Sequence, residues 1–186
     1  MNNIVLINGS PKINYGASYN YLKFFNSEII NNIKYNEEDI NKILNSDIIV
    51  FSFPLYIDSL PSNFIRFLNL LEDLKFTNKS IYAICNCGFY ESIQCEIALN
   101  IIKNFCIKTQ NKYMGGIAIG TGPIGFLNYP LINTNIKKKL KKFFQFVSNK
   151  SHFKNTYTKS KLPRFIYLKC ANHSWKKEIK KNLIKK

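Results

Sequence analysis

Residues 4–18 of this 186-residue chain read IVLINGSPKINYGAS. The stretch begins with four consecutive apolar residues and continues at once into turn-forming residues, Asn8 to Pro11. A short β-branched run of this kind is typical of a strand buried on both faces, as in a parallel sheet covered by helices. We therefore interpret residues 4–7 as the first strand of such a sheet, followed by a loop that leads into a helix near Ala17.

The same pattern repeats along the chain. Three further apolar runs, at 47–51, 81–84 and 116–119, each end in turn-forming residues. Apolar residues at three- and four-residue steps predict helices over 17–31, 37–45, 61–74, 92–108 and 135–148. Only residues 33–36 remain for a very short edge strand between the first two helices. The alternation predicts an α/β protein with a doubly wound parallel sheet and helices on both faces.

Composition indicates one globular domain with a basic extension. With 46% hydrophobic residues, the chain can bury a sizeable core. We expect a domain over residues 1–150 and a helical extension over residues 151–186 that packs on it. The net charge is +16, and from Lys137 onward Glu178 is the only acid. This extension has three open interpretations: a solvated face, a helix that docks on an anionic membrane, or one that docks on nucleic acid.

The five cysteines predict reduced thiols. No signal-peptide pattern precedes the first strand and no apolar run approaches the ~20 residues of a membrane span, so we expect a cytoplasmic protein. No pair of Cys or His residues has the spacing of metal ligands, and we predict no metal site. Cys85 and Cys87 are expected to point to opposite faces of the sheet. His152 and His173 are interpreted as surface or packing residues.

The loop after the first strand carries the strongest chemical signal. A helix that starts near Ala17 exposes unpaired backbone N–H groups and the positive end of its dipole, which together suit a phosphate. Ser10 and Ser18 offer hydroxyls, Lys12 a charge, and Gly16 close backbone approach. The loop matches neither the Walker motif nor the Gly-x-Gly-x-x-Gly fingerprint, which argues against ATP and against a Rossmann-type NAD site.

Two further loops follow central strands and share one composition. They are residues 54–61, Pro-Leu-Tyr-Ile-Asp-Ser-Leu-Pro, and residues 86–91, Asn-Cys-Gly-Phe-Tyr-Glu. Both offer aromatic or apolar surface together with exposed backbone amides. A flat tricyclic ring needs this combination on its faces and along its polar edge. Because ligands of doubly wound sheets bind outside the carboxyl ends of the strands, we expect the three loops to form one site.

These three loops resemble those of the flavodoxin-like NADPH-dependent FMN reductases and NAD(P)H-quinone reductases. Residues 9–12 and 16–18 are similar to the family's phosphate loop, and the two later loops to its flavin-ring loops. The resemblance covers about residues 1–148 and implies a five-stranded sheet of order 2-1-3-4-5. It implies FMN held by Ser10, Lys12, Gly16, Ala17, Ser18, Pro54, Leu55, Tyr56, Ile57, Asn86, Cys87, Gly88, Phe89, Tyr90 and Glu91.

The resemblance implies an FMN-dependent oxidoreductase. NADH or NADPH would be the co-substrate, and a quinone, a flavin, a nitro or azo compound or a metal ion the acceptor. No catalytic side chain is expected, since the cofactor carries the chemistry. A homodimer is implied, whereas an iron–sulfur cluster is not, because no cysteine precedes Cys85. The alternatives are a flavodoxin-like electron carrier and a non-enzymatic protein that docks through its basic tail.

Overall fold

The computed structural model describes residues 2–122 and 131–184. Within them six strands form one sheet in the order β2-β1-β3-β4-β5-β6, and every neighbouring pair is parallel. The strands are β1 (Ile4–Asn8), β2 (Ile29–Asn31), β3 (Ile48–Pro54), β4 (Ser80–Asn86), β5 (Lys112–Ile119) and β6 (Thr156–Thr158). The doubly wound parallel sheet predicted from the alternation of runs is confirmed.

Helices connect the strands and cover both faces. They are α1 (Ala17–Leu22), α2 (Glu37–Leu44), α3 (Ser62–Asp73), α4 (Glu96–Lys108), α5 (Thr134–Ser148) and α6 (Arg164–Ile184). The four helices predicted after residue 36 are confirmed, and α4 is preceded by one 3₁₀ turn at Ser92–Cys95. A capping box begins α2: Asn36 Oδ1 accepts from Asp39 N at 2.8 Å, and Asp39 Oδ2 accepts from Asn36 N at 3.0 Å.

The central strands are buried on both sides because alternate residues enter two different cores. Ile49, Phe51 and Phe53 of β3 pack with residues of α3 and α4 on one face. Ile48 and Val50 of the same strand pack with residues of α1 and α5 on the other. This two-sided burial explains why the strands read as continuous apolar runs rather than as an alternation of apolar and polar residues.

The first predicted helix is too long. It was expected to reach residue 31, but α1 ends at Leu22, where the N–H of Phe25 bonds the Leu22 carbonyl at 2.9 Å in a tightened turn. Ile29 and Ile30 belong instead to β2, opposite Leu6 and Ile7. The edge strand expected at 33–36 is therefore displaced, although it is short as predicted. The apolar residues of this segment are spaced as in a helix, but the β-branched Ile29 and Ile30 pair with β1 and form the edge strand of the sheet.

A sixth strand corrects the expectation of five. Thr156–Thr158 pairs with residues 117–119 of β5, so part of the expected extension belongs to the sheet. The preceding residue fixes this register, because Asn155 Oδ1 accepts from Gly116 N at 2.9 Å and from the Tyr113 hydroxyl at 3.0 Å. The strand is three residues long and largely polar, and for that reason it gave no apolar run in the sequence.

The last described helix, α6, leaves the sheet after residue 163. It is the basic helix expected in the extension, and its first turn packs at the carboxyl ends of the strands through the buried Tyr167. Within the described ranges, no helix combines the length and the apolar content needed to cross a bilayer. Lys185 and Lys186, which were included in the predicted basic tail, lie outside the described residues.

Gly115 allows the chain to bulge where β5 meets the loop after α5. The register between β4 and β5 shifts between Ile81 and Tyr82, so that Gly115 takes the place next to Tyr82. Its φ is +110°, and a Cβ there would lie 1.6 Å from the carbonyl oxygen of Phe153. The neighbouring Met114 carbonyl accepts from Phe153 N at 2.7 Å. Only glycine combines this backbone angle with so close an approach.

Replacement of Gly115 therefore tests the packing of this edge. We expect Gly115→Ala to lower the free energy of unfolding by more than about 2 kcal/mol, through backbone strain and overpacking. The measurement is urea unfolding followed by circular dichroism. Gly88→Ala is the matched control, since a Cβ at Gly88 meets nothing within 4 Å, and it is expected to shift stability by less than about 0.5 kcal/mol. Equal effects of the two substitutions would contradict this account.

Candidate functional site

The carboxyl ends of the three central strands bring three loops to one edge of the sheet. β1, β3 and β4 are adjacent, and the chain leaves β1 toward β2 on one side and later returns to β3 on the other. This is the topological switch point at which doubly wound sheets bind ligands. Hydrogen bonds join the loops at this edge: Gly9 N donates to Ser52 O at 2.8 Å, and Leu55 N to Asn86 O at 2.7 Å.

Asn8 shapes the first loop, although the sequence analysis assigned it no role. It is fully buried, and its amide nitrogen lies 2.9 Å from the carbonyl oxygens of Lys12 and Ile13 and 2.9 Å from Asn31 Oδ1. Its oxygen accepts from Ser10 N at 3.2 Å. One side chain at the end of β1 thus curls residues 9–13 back toward the sheet. The signal in the sequence that could have indicated this role is a polar residue, Asn8, at the end of an apolar run.

The curled loop leaves a run of backbone donors without acceptors. From Ile13 to Tyr19, no backbone N–H has a hydrogen-bond partner among the described residues. Gly16 precedes α1 with φ 101° and ψ 171°, and no side chain caps that helix end. Unpaired N–H groups and a positive helix end attract anions. The loop therefore offers main-chain donors to an anion, and the phosphate site expected from the sequence stays a prediction.

The side chains predicted for this loop lie beside those donors. Ser10 is buried, and its Oγ accepts from Lys12 N at 3.1 Å, which leaves its hydroxyl proton free to donate. The stem of Lys12 crosses Gly16, where a Cβ would lie 3.2 Å from Lys12 Cδ. Ser18 is also buried, and its Oγ accepts from Asn86 Nδ2 at 2.7 Å. The structure thus places Ser18 against the third loop as well as in the first.

The second loop turns through two residues with left-handed backbone. Tyr56 and Ser59 exchange N–H···O bonds of 2.9 and 3.0 Å, with Ile57 at φ 49° and Asp58 at φ 54° between them. Left-handed backbone is unfavourable for a β-branched residue. Ile57 is nonetheless fully exposed and Tyr56 is 45% exposed. The turn therefore projects two apolar side chains toward solvent, whereas Leu55 is buried.

The third loop divides into a buried part and an exposed part. Asn86 and Cys87 are buried, and Asn86 Nδ2 also donates to Phe53 O at 3.0 Å. Gly88 and Phe89 are exposed, and their backbone N–H groups have no partner among the described residues. The loop that follows β5 supports this part, because Thr121 N donates to Phe89 O at 2.7 Å.

A segment near the carboxyl terminus holds the third loop, and we call its four residues Lys159, Leu162, Arg164 and Tyr167 the clasp. The Tyr167 hydroxyl donates to the carbonyl of Gly88. The Tyr90 hydroxyl donates to Leu162 O at 3.0 Å, and the Lys159 ammonium lies 3.9 Å from the centre of the Tyr90 ring. Arg164 Nε is 3.4 Å from Glu91 Oε1.

The clasp fixes the direction of one peptide group. Because a trans peptide is planar, a Gly88 carbonyl that faces Tyr167 turns the N–H of Phe89 to the opposite side. Tyr90 and Glu91 are engaged by the clasp, so their side chains have internal partners. Sequence analysis missed these contacts, since the four clasp residues follow the loop by 68 positions or more and form no motif with it.

Cys87 is buried and has its partners inside the protein: its N–H donates to Ile119 O at 3.0 Å, and its thiol donates to the carbonyl oxygens of Phe89 and Glu91 at 3.9 and 3.8 Å. A hydrogen bond with the free thiol of Cys95, together with burial, raises the pKa of Cys87. Cys85 and Cys87 enter the same core, so the expectation that they face opposite sides is wrong. Residues two apart along a strand share a face. In the described part of the chain, no three His, Cys, Asp or Glu side chains group as a metal site would.

Buried polar atoms without partners occur in three segments that follow strands, spread across the sheet from β2 to β6. Both side-chain polar atoms of Asn32, the amide nitrogen of Asn63 and the hydroxyl of Ser160 are buried without a hydrogen bond. These residues follow β2, β3 and β6 in turn. Unsatisfied buried groups are rare in folded proteins and call for a ligand or water. The main-chain donors of the first loop together with exposed Tyr56 and Phe89 fit a phosphorylated aromatic ligand such as FMN.

The clasp can be tested without any ligand. Tyr167→Phe removes the donor to the Gly88 carbonyl, and we expect the free energy of unfolding to fall by about 1 kcal/mol. Arg164→Ala breaks an exposed ion pair and is expected to change it by less than about 0.5 kcal/mol. Chemical unfolding of both variants measures the difference. A larger loss in Arg164→Ala than in Tyr167→Phe would refute the proposed order.

Comparison with known proteins supports the fold alone. No protein-family model matches the chain, and no curated protein matches it in sequence. Among solved structures it is similar to a Fusobacterium nucleatum flavodoxin bound to flavin mononucleotide, with 15% identity, 81% of this chain and 99% of that chain covered, and a TM-score of 0.57.

Two other solved structures are also similar to this chain. An NADPH-quinone reductase from P. pentosaceus has 16% identity to this chain and a TM-score of 0.55. The alignment covers 78% of this chain and 96% of that chain. The Trp repressor binding protein from Bacillus subtilis has 20% identity, with 63% and 83% covered and a TM-score of 0.53. These likenesses confirm the resemblance read from the loops at the level of architecture. The chain therefore has the flavodoxin-like fold.

Proposed function

We propose that the chain is an FMN-dependent oxidoreductase that takes electrons from NADH or NADPH. The observation that carries this proposal is the run of unpartnered N–H groups from Ile13 to Tyr19, at the edge that also exposes Tyr56 and Phe89. A phosphate site beside two aromatic side chains suits a nucleotide-like ligand with a flat ring. The switch-point position is where this fold class binds such ligands.

The first loop would hold the phosphate. The main-chain donors between Ile13 and Tyr19 satisfy phosphate oxygens directly, and the Ser10 hydroxyl adds a donor that is already oriented by Lys12 N. The ammonium of Lys12 supplies a positive charge at the exposed side. Gly16 and Ala17 contribute through their backbones. Ser18 accepts from Asn86 and retains a hydroxyl proton to donate, so it would tie the phosphate loop to the third loop.

The other two loops would hold the ring. Tyr56 and Ile57 form one apolar wall, and Phe89 forms the other. Pro54, Leu55 and Cys87 are largely covered, so in this proposal they shape the walls from behind. The N–H groups of Gly88 and Phe89 would donate to electron-rich atoms along the ring edge, where preorganised donors stabilise negative charge. Tyr90 and Glu91 would keep this segment in place through the clasp.

FMN, when bound, would accept a hydride from the nicotinamide and pass electrons to an acceptor, for which a quinone, a flavin, a nitro or azo compound or a metal ion are the candidate classes. The chain's residues then bind, orient and shield, and no side-chain nucleophile is required. The structural neighbours support this class, since they include an NADPH-quinone reductase and an azoreductase from Bacillus anthracis. A homodimer remains part of the proposal.

An electron carrier without its own nicotinamide reaction is the second candidate. The specific observation in its favour is the flavodoxin from Fusobacterium nucleatum, whose length this chain covers almost completely. Anaerobic stopped-flow mixing of the FMN-loaded protein with NADPH or NADH separates the two candidates. An oxidoreductase loses its visible flavin absorbance rapidly and in a saturable way, whereas a carrier does not.

The binding experiment compares FMN with riboflavin, which lacks the phosphate. We expect wild-type protein to bind FMN at least about 100-fold more tightly, because charge-assisted hydrogen bonds contribute about 1.5–3 kcal/mol each. Ser10→Asp places a negative charge beside the unpartnered N–H groups and should remove this preference. Quenching of flavin fluorescence provides both dissociation constants.

Ser174→Asp serves as the control, since it adds the same charge on an exposed position of α6 and should leave both constants unchanged. Equal affinity of the wild type for FMN and riboflavin would overturn the phosphate assignment. Failure to bind either flavin would overturn the proposed function as a whole.

A further inference from the structure

Helix α6 extends from the molecule with little protein around it. Tyr167 in its first turns is buried, but from Leu168 to Lys177 every side chain is exposed except the half-buried Ala171. The helix has 21 residues, which corresponds to about 31 Å at 1.5 Å per residue. A solvated helix of this length needs no large apolar side chains, so any that it carries require an explanation.

Four large apolar side chains lie exposed along one side of α6, and we call them the stripe: Phe165 (64% exposed), Leu168 (46%), Trp175 (70%) and Ile179 (55%). Successive members are separated by three, seven and four residues. At about 100° per residue, these spacings place all four within a sector of about 80°. An aligned apolar stripe that no described residue covers marks an interaction surface rather than scattered surface hydrophobics.

Lysines border the stripe. Lys169, Lys176 and Lys180 follow it along one flank, at about 20–60° beyond the edge marked by Phe165, and Lys177 lies further round. These lysines form no ion pair with the described residues, and those whose burial is given are exposed. The helix thus presents apolar side chains beside a row of ammonium groups, the two components that a helix in a membrane interface uses, although its apolar and polar residues are not sharply divided between two faces and Asn172 lies within the sector of the stripe.

The charge of the chain favours the same kind of partner. Residues 137–186 contain 17 of its 27 Lys and Arg residues but one of its 11 acids, whereas residues 1–136 contain ten of each sign. The entire net charge of +16 therefore belongs to the carboxyl-terminal part. Two α6 helices packed against each other would bring like charges together and be repelled, whereas the part over residues 1–136, which carries no net charge, does not prevent a dimer through other surfaces. A polyanion would be attracted, and this leaves nucleic acid and anionic lipid as partners.

The stripe decides between these two partners. Backbone phosphates of a nucleic acid attract lysines but give no apolar phase in which Phe165, Leu168 and Ile179 could be buried. An anionic bilayer provides both components, because its headgroups attract lysines while the acyl boundary accepts apolar side chains. Tryptophan is itself enriched at this depth.

We propose that α6 docks the protein on the surface of an anionic lipid bilayer. In this arrangement the helix lies in the plane of the interface, with the stripe toward the acyl chains and the ammonium groups of the flanking lysines among the headgroups. The proposal is independent of the flavin, since it rests on residues of α6 that lie outside the three loops of the candidate site.

The chain contains one tryptophan, Trp175, and its fluorescence therefore reports on the stripe directly. The full-length protein is mixed with phosphatidylcholine vesicles that contain or lack phosphatidylserine. We expect a blue shift of the emission and partitioning that is at least about tenfold stronger with phosphatidylserine, and that weakens as salt is raised. Lipids brominated on the acyl chains should quench the emission.

A matched pair of variants distinguishes docking through the stripe from nonspecific hydrophobic adsorption to the vesicles. Ile179→Ser removes one member of the stripe and should weaken vesicle partitioning by about tenfold, in line with a large apolar side chain. Ile107→Ser removes an isoleucine of α4 that is somewhat more exposed, at 68% against 55%, and should leave partitioning unchanged. Both substitutions are at exposed positions, and a cooperative unfolding transition confirms that each variant is folded.

Three results would overturn the proposal. One is an emission spectrum that phosphatidylserine vesicles do not change. Another is equal weakening by Ile179→Ser and Ile107→Ser. The third is a blue shift produced by duplex DNA in the absence of lipid, together with no quenching by brominated acyl chains, because that outcome assigns α6 to nucleic acid.

Discussion

Parallel pairing of β1, β3 and β4, each buried on both faces, is the constraint on which the other features depend. Strands paired in this way present their carboxyl ends at one edge, where the ladder stops and the chain must turn. The apolar cores on the two sides confine polar loops to the two ends of the strands, and the switch in strand order opens a crevice at the carboxyl end. The candidate site is therefore located by the sheet itself, before any side chain in it is considered.

Two asparagines turn that edge into a defined surface. Asn8 at the end of β1 gathers the carbonyls of its own loop, and Asn86 at the end of β4 reaches across to Ser18 in α1. In both cases an amide side chain takes up main-chain or hydroxyl groups that would otherwise be buried without partners. The N–H groups left over belong to exposed or half-exposed residues, apart from that of the buried Ser18. Because the two asparagine side chains bond carbonyls and the Ser18 hydroxyl, the loop is held in place while its backbone N–H groups stay available as donors.

The strands with longer apolar runs could be predicted from the sequence, whereas the three-residue strands could not. β1, β3, β4 and β5 were predictable because their apolar runs are short, rich in strand-forming residues and end in turn residues, and the three loops follow from them. Ile29 and Ile30 fitted the helical period equally well, and only pairing with Leu6 and Ile7 decides for a strand. β6 and Tyr167 escaped prediction because their contacts, with β5 and with Gly88, join segments of distant sequence. Tertiary contacts of this kind leave no local pattern.

The position of the clasp has a consequence for translation. Gly88 and Tyr90 receive their partners 79 and 72 residues later in the chain, and β5 receives its outer neighbour only at Thr156. A nascent polypeptide that has emerged only to α4 therefore presents the third loop without its clasp, and after β5 emerges this long strand stands at the edge of the sheet until the short β6 pairs with it. Open parallel edges are prone to pair with other chains. Two segments that emerge after β5 are thus the ones that cover β5 and hold the third loop of the candidate site.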